Sequence, residues 1–278
     1  MEQGIEFLKG HGTENDFVLL PDPTGALELT PSRVRALCDR RCGLGADGVL
    51  RAVPAGLVSD APPGSCADDW FMDYRNADGS LAELCGNGVR VFARYLTDAG
   101  LVADPQFRIG SRSGPRTVRR NDDGSVTVEM GRVARHGTST VTVEGAAFTG
   151  LMVDVGNPHL ACLTDVPVEH LDLTVPPGHD PGDFPHGVNV EFVNVVSAQE
   201  LRMRVHERGV GETRSCGTGT VAALAAALQA QGRDAGEADV QMPGGQLHVA
   251  ITRDGSTLTG PAVLVAWGWL APDWWSAH

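Results

Sequence analysis

LCGNGVRVFARYL (84–96) and SCGTGTVAALAAAL (215–228) decide how this chain of 278 residues is read. Each opens on Cys-Gly-x-Gly and continues into a helical pattern. In the first, Val89, Phe92, Ala93 and Leu96 recur at i, i+3, i+4 and i+7, with Arg90, Arg94 and Asp98 off that stripe. In the second, Val221, Leu224, Ala225 and Leu228 repeat the pattern. Alanines fill the positions between, so this helix reads as apolar nearly all round and deeply buried. Gly100 and Gly232 are suited to stopping the two helices.

The two cysteines stand 131 residues apart, and the same offset aligns other features without a gap. Gly88 falls on Gly219, Gly114 on Gly245, Val118 on Val249, Met72 on Met203, and the turn Asp123-Gly124-Ser125 on Asp254-Gly255-Ser256. Extended segments, WFMDY (70–74) and LRMRVH (201–206), precede the two helices. Further strands are read at 125–130, 139–145, 187–196 and 246–252, between Gly, Pro and Asp-Gly turns. The pattern predicts an α+β protein of two pseudo-symmetric halves, each a strand-rich roll or barrel around a central helix, with an active site in the cleft between them. Residues 1–130 make the first half, completed by 261–278, and residues 131–260 make the second. The stretch from Val53 to Asp69 reads as a surface loop inside the first half.

Composition narrows the function. With 35 acidic against 22 basic residues the formal charge is −13, which disfavours phosphate backbones and anionic membrane surfaces. No apolar run approaches the roughly 20 residues that cross a bilayer, and MEQGIEFLKG lacks the order of a signal peptide, so the expected location is the cytoplasm. Six cysteines in a reducing compartment are expected as thiols. Cys38 and Cys42 lack a Cys-x-x-Cys partner or a His pair, so no metal is expected.

A cysteine at a helix N-terminus meets free N–H groups and the positive end of the helix dipole, which favour thiolate. The N–H groups of Gly86-Asn87 and Gly217-Thr218 suit a carboxylate. Two such thiols facing one carbon supply what inversion of an sp³ centre needs: a base on one face and an acid on the other. A carbanion formed without a pyridoxal-type electron sink must be stabilised by preorganised donors in a dry site.

In order along the chain stand HGTENDF (11–17), ADGV within RCGLGADGVL (41–50), YRNADGS (74–80), LCGNGVRVFARYL (84–96), GNPH (156–159), GVNVEFV (187–193), HERGVGET (206–213), SCGTGT (215–220), PGG (243–245) and TGPA (259–262). With this set the sequence resembles the diaminopimelate epimerases over nearly its entire length. The resemblance implies reversible conversion of L,L- to meso-diaminopimelate for lysine and peptidoglycan synthesis, without pyridoxal phosphate or metal, by a homodimer. It implies that Cys216 takes the proton from the L,L substrate and Cys85 delivers one to the opposite face. His159 and Glu207 match side chains that adjust thiol protonation. Asn15, Asn76, Asn157, Asn189, Glu207 and Arg208 match substrate contacts, and Gly86-Asn87 with Gly217-Thr218 match the carboxylate cradle. Two departures stand out: Gly48 where many relatives carry Gln, and HGTENDF in place of HGLGNDF.

Other readings remain open at this level. A two-cysteine racemase or epimerase of proline or hydroxyproline would use the same pair. A cysteine hydrolase would need one thiol with His159, and a binding module would need neither.

Overall fold

Two runs of strands, each interrupted by one long helix, account for most of the chain. The computed structural model describes residues 4–278. Along it, β1 (Ile5–Gly12) and β2 (Asn15–Pro21) precede α1 (Pro31–Cys38), β3 (Gly48–Pro54), β4 (Trp70–Asn76), α2 (Gly86–Asp98), β5 (Gln106–Gly110), β6 (Arg116–Arg120) and β7 (Val126–Gly131). Then follow β8 (Ala134–Val143), β9 (Ala146–Asp154), β10 (Pro158–Leu163), β11 (Gly178–His179), β12 (Asn189–Ser197), β13 (Glu200–Glu207), β14 (Gly211–Thr213), α3 (Gly217–Ala230), β15 (Gly236–Met242), β16 (Gly245–Ile251) and β17 (Ser256–Gly260). The chain ends in β18 (Val263–Leu270) and α4 (Pro272–Ser276). It divides into two compact units: residues up to Val128 with Pro261–His278, and Glu129–Gly260.

The units share one topology. In the first, β1 pairs antiparallel with β2, β2 parallel with β3, β3 antiparallel with β4, β4 parallel with β5, and β5 antiparallel with β6. In the second, β9, β10, β12, β13, β15 and β16 repeat that order of antiparallel and parallel ladders. The long helix falls at the same place in both, α2 after β4 and α3 after β13 with its short β14 flap. The outer strand of the first unit, β18, comes from the chain end and pairs with β1.

Register extends the repeat beyond the stretch that a fixed 131-residue offset reaches. Phe17 pairs with Gly48 and Gly48 with Asn76 in the first unit. In the second, His159 pairs with Asn189, and the pairing of Val190 with His206 puts Asn189 opposite Glu207. Asn15 and Asn157, Phe17 and His159, Gly48 and Asn189, Leu50 and Glu191, and Asn76 and Glu207 therefore hold equivalent positions. Loops of different length before β4 and β13 break the constant spacing.

Both helices lie against their sheets. The hydrophobic stripe of α2 is buried, and Val221 through Leu228 of α3 are buried without a gap, as apolar side chains on every face require. Arg90 departs from its reading as a residue off the stripe: it is fully buried in the first turn of α2. Both helices stop alike, the N–H of Leu101 reaching Leu96 O and that of Arg233 reaching Leu228 O, with Gly100 and Gly232 at φ +67° between. The stretch from Val53 departs in part from a surface loop. Val53 and Ala55 are buried against Phe71, and the turns begin beyond Leu57.

The β1–β2 hairpin turns on Thr13 and Glu14, both at positive φ, 49° and 63°. Such two-residue turns favour Asn-Gly, because L residues pay about 1–2 kcal/mol each in this region. Thr13 is held there by its buried hydroxyl, which accepts from Arg90 Nη2 at 3.1 Å and donates to Asn87 Oδ1 at 3.3 Å. Glu14 is exposed. Replacing Glu14 with glycine is expected to raise the unfolding free energy by about 1 kcal/mol in a urea titration, with catalysis unchanged; a loss of stability would show that the turn is not strained at Glu14.

Candidate active site

The first turn of α2 builds one thiol site. Cys85 is the N-cap, and its Sγ accepts from Gly88 N–H at 3.5 Å. The thiol lies 3.4 Å from Asn15 Oδ1, which also accepts from Asn87 Nδ2 at 3.3 Å. Asn15 is oriented from behind: its Nδ2 donates to Asp47 Oδ2 at 2.8 Å, leaving the amide oxygen toward Cys85. Asp47 belongs to an ion cluster with Arg40, Asp16 and Lys9. Burial would push the Asp16 carboxyl up, but Arg40 and Lys9 pull it down to about 2, so the cluster stays ionised at neutral pH.

Beneath Cys85 lies a buried cation. The Arg90 guanidinium donates to Gly86 O at 3.3 Å, Pro261 O at 3.1 Å and the Thr13 hydroxyl. Burial lowers it to about 10, which leaves it charged at neutral pH, and a negative Cys85 would hold its proton more tightly. Asn76, at the end of β4, donates to Ser80 Oγ at 3.0 Å.

The first turn of α3 builds the other. Cys216 is its N-cap and is only 6 % exposed. The thiol lies 3.6 Å from Thr218 Oγ1. Around it are two carboxylates. Glu207, at the end of β13, accepts from the Thr213 hydroxyl. Glu191, in the middle of β12, is fully buried. Burial raises the Cys216 thiol well above its ordinary value, the charges of Glu207 and Glu191 raise it further, and the hydrogen bonds of Thr218 and Gly219 oppose them. At Cys216, desolvation and two like charges thus work against the thiolate that a helix start is expected to favour.

His159 and Asn157 complete this unit's floor. His159 is fully buried, with Nδ1 2.7 Å from Glu191 Oε1 and Nε2 2.9 Å from Asn157 Oδ1. With the amide oxygen accepting, Nε2 is the donor to Asn157 and Nδ1 faces the Glu191 carboxyl. Asn189 Oδ1 accepts the backbone N–H of Arg208 at 2.9 Å, and the exposed Arg208 guanidinium reaches His186 O at 3.3 Å. Glu191 and Arg90 were missed as site residues by sequence reading. Glu191 stands inside a quoted motif but alternates with apolar neighbours like any strand residue.

Gly48 lacks room for a side chain. A Cβ there would lie 2.6 Å from Arg75 O and 2.7 Å from Tyr74 Cε2. The Tyr74 ring, edge-on to Phe17 at 5.9 Å, fills the space. Among the described residues no group of three or more His, Cys, Asp or Glu is placed to hold a metal ion.

A family model described as Diaminopimelate epimerase matches residues 7–136 and 151–265. The chain belongs to the diaminopimelate epimerase family. It is 57% identical over 286 residues to the diaminopimelate epimerase of Rhodococcus jostii, covering 98% of this chain and 99% of that one. It is 56% identical to that of Mycolicibacterium gilvum, covering 99% and 100%. Among solved structures, a hydroxyproline epimerase from Agrobacterium vitis shares the fold at TM-score 0.66 and 17% identity, over 98% of this chain and 94% of that one. A predicted epimerase from Pseudomonas aeruginosa does so at TM-score 0.68 and 15% identity, over 96% and 99%. The chain is an isomerase of the two-unit, strand-rich fold that these structures share.

Gly48→Ala is expected to lower stability by about 1–3 kcal/mol in thermal unfolding, because the clash falls on a backbone carbonyl that cannot step aside. An unchanged melting temperature would mean that β3 and β4 yield there.

Proposed function

We propose that this protein interconverts L,L- and meso-diaminopimelate without a cofactor, through a thiol and a thiolate on opposite faces of one α-carbon. Cys216 takes the proton from the L,L substrate and Cys85 delivers one to the other face, with the roles exchanged in reverse. The observation that carries this reading is the repeated placement of a cysteine as N-cap of the long central helix in both units of a chain of this family. Cys38, Cys42, Cys66 and Cys162 occupy no such place.

Each group has a task set by its chemistry. The N–H groups of Gly86-Asn87 and Gly217-Thr218 take the carboxylate of the reacting centre, whose negative charge grows as the carbanion forms. Asn15, Asn76, Asn157 and Asn189, able to donate and accept, with Glu207 and Arg208, hold the ammonium and carboxylate groups of a substrate that is zwitterionic at both ends. His159 and Glu207 adjust the protonation of Cys216. A proline or hydroxyproline epimerase has no second charged end to hold, and a hydrolase leaves one of the two helix-start thiols unused.

The protein works as a cytoplasmic homodimer in this reading. All six cysteines are free, as a reducing compartment keeps them. Val263, Val265, Trp267 and Trp269 alternate along one exposed face of β18, an apolar strip that a second copy of the chain would cover. No described helix is long and apolar enough to cross a membrane.

Cys85→Ala and Cys216→Ala are each expected to reduce kcat/KM for diaminopimelate by roughly 10³-fold or more, with the fold kept by circular dichroism. Proline and hydroxyproline should not be inverted. Retention of epimerisation by either variant contradicts the paired mechanism, and inversion of proline with diaminopimelate inert contradicts the substrate.

A further inference from the structure

Equivalent positions in the two units carry unlike side chains under the two cysteines. Below the first turn of α2, a Cβ at Gly88 would lie 3.3 Å from Leu50 and 3.5 Å from Phe17. Below the first turn of α3, a Cβ at Gly219 would lie 2.7 Å from Glu191 Oε1. By register Phe17 corresponds to His159 and Leu50 to Glu191. A dry apolar pair in one unit is therefore a buried acid and base in the other.

Burial raises the Glu191 carboxyl above the ordinary carboxylate range, and the charge and hydrogen bond of His159 are what draw it back toward its charged form. The carboxyl lies under the N-terminal turn of α3, where a Cβ at Gly219 would fall 2.7 Å from its Oε1 and 3.3 Å from Cys216 Cβ, so it shares the positive end of that helix with Cys216. One oxygen is held by His159 Nδ1 at 2.7 Å, and the other, Oε2, is buried with no hydrogen-bond partner. An unpartnered carboxylate oxygen in a core is costly and is retained only where something offsets it. The titratable groups facing Glu191 are His159 on β10, Glu207 on β13 and Cys216 at the start of α3, while Cys162 lies on the other face of β10 with Phe192.

We propose that Glu191 is a positioning residue that holds Cys216 in its thiol form while the site is empty, and that His159 acts on Cys216 through Glu191. The inference rests on reading Cys216 as the acid-base group of the reaction. Its consequence is a charge balance: two carboxylates face the thiol, and the ammonium groups of the entering substrate supply the positive charge that lets the thiol release its proton to bulk water as the substrate binds. Burial raises Glu191 itself, whereas the charge of His159 and its hydrogen bond lower it, so removing His159 drives Glu191 toward its neutral form.

The test is the pH dependence of Cys216 alkylation by iodoacetamide in the substrate-free protein, followed by mass spectrometry, with Cys85 as internal control. It needs no turnover, so its failure is separable from failure of the proposed reaction. Glu191→Gln keeps shape and removes charge. It should move the Cys216 midpoint down by about one pH unit, a roughly tenfold faster alkylation below the midpoint, and leave Cys85 unmoved. His159→Gln should move it the same way, and the double variant no further than Glu191→Gln alone. The acidic limb of kcat/KM should follow the same shift. A Cys216 midpoint unchanged in Glu191→Gln, or moved upward, overturns the proposal. If that variant does not fold, an unchanged or raised midpoint in His159→Gln does so.

Discussion

Everything at the candidate site depends on how closely the first turn of each long helix approaches the sheet beneath it. Gly88 and Gly219 permit the approach: a side chain at either would press on the strand floor, hardest at Gly219, where the obstacle is a carboxylate oxygen at 2.7 Å. The close fit seats a cysteine at the N-cap position of each helix. It also buries the Cys216 sulfur, and burial is the largest influence on it, ahead of the charges of Glu207 and Glu191. A helix dipole contributes about 0.3–1 kcal/mol at most surface sites, whereas each pKa unit of desolvation or charge repulsion is worth about 1.4 kcal/mol. At Cys216 burial and the two carboxylates raise the thiol.

The two units thus share a scaffold and differ in electrostatics. Under Cys85 the charge is the Arg90 cation, with Asn15 turned by Asp47 so that its oxygen faces the thiol. Around Cys216 the charges are carboxylates. Two equivalent thiols would leave the resting proton inventory undefined. Unlike surroundings separate the two, and a reaction needing one acid and one base at the same moment can use that difference.

Much of this was legible in the sequence, for identifiable reasons. The helices of 84–96 and 215–228 announce themselves by periodicity, and the cysteines by their repeat. Asn76 and Glu207 fall on the same offset as the cysteines, but Phe17 with His159 and Leu50 with Glu191 do not, because unequal loops intervene and only strand register reveals them. The positive-φ turn at Thr13 and Glu14 carries no Asn-Gly signal, since tertiary hydrogen bonds from Arg90 and Asn87 impose it. Arg90 looked like a solvent-facing residue because a buried cation is invisible until the carbonyls that surround it are placed. Gly48 stood out only as a departure, and what fills its space, the Tyr74 ring, lies on the neighbouring strand.

Inversion by two thiols has one kinetic signature that no single-base route shares. L,L-diaminopimelate is incubated with the enzyme in deuterium oxide and the reaction is stopped in its first few per cent. With a separate acid on the far face, already exchanged with solvent, the meso product carries deuterium at the inverted carbon while the remaining L,L substrate keeps its protium. Meso product that retains protium at that carbon, or L,L substrate that gains deuterium as fast as product appears, would contradict it.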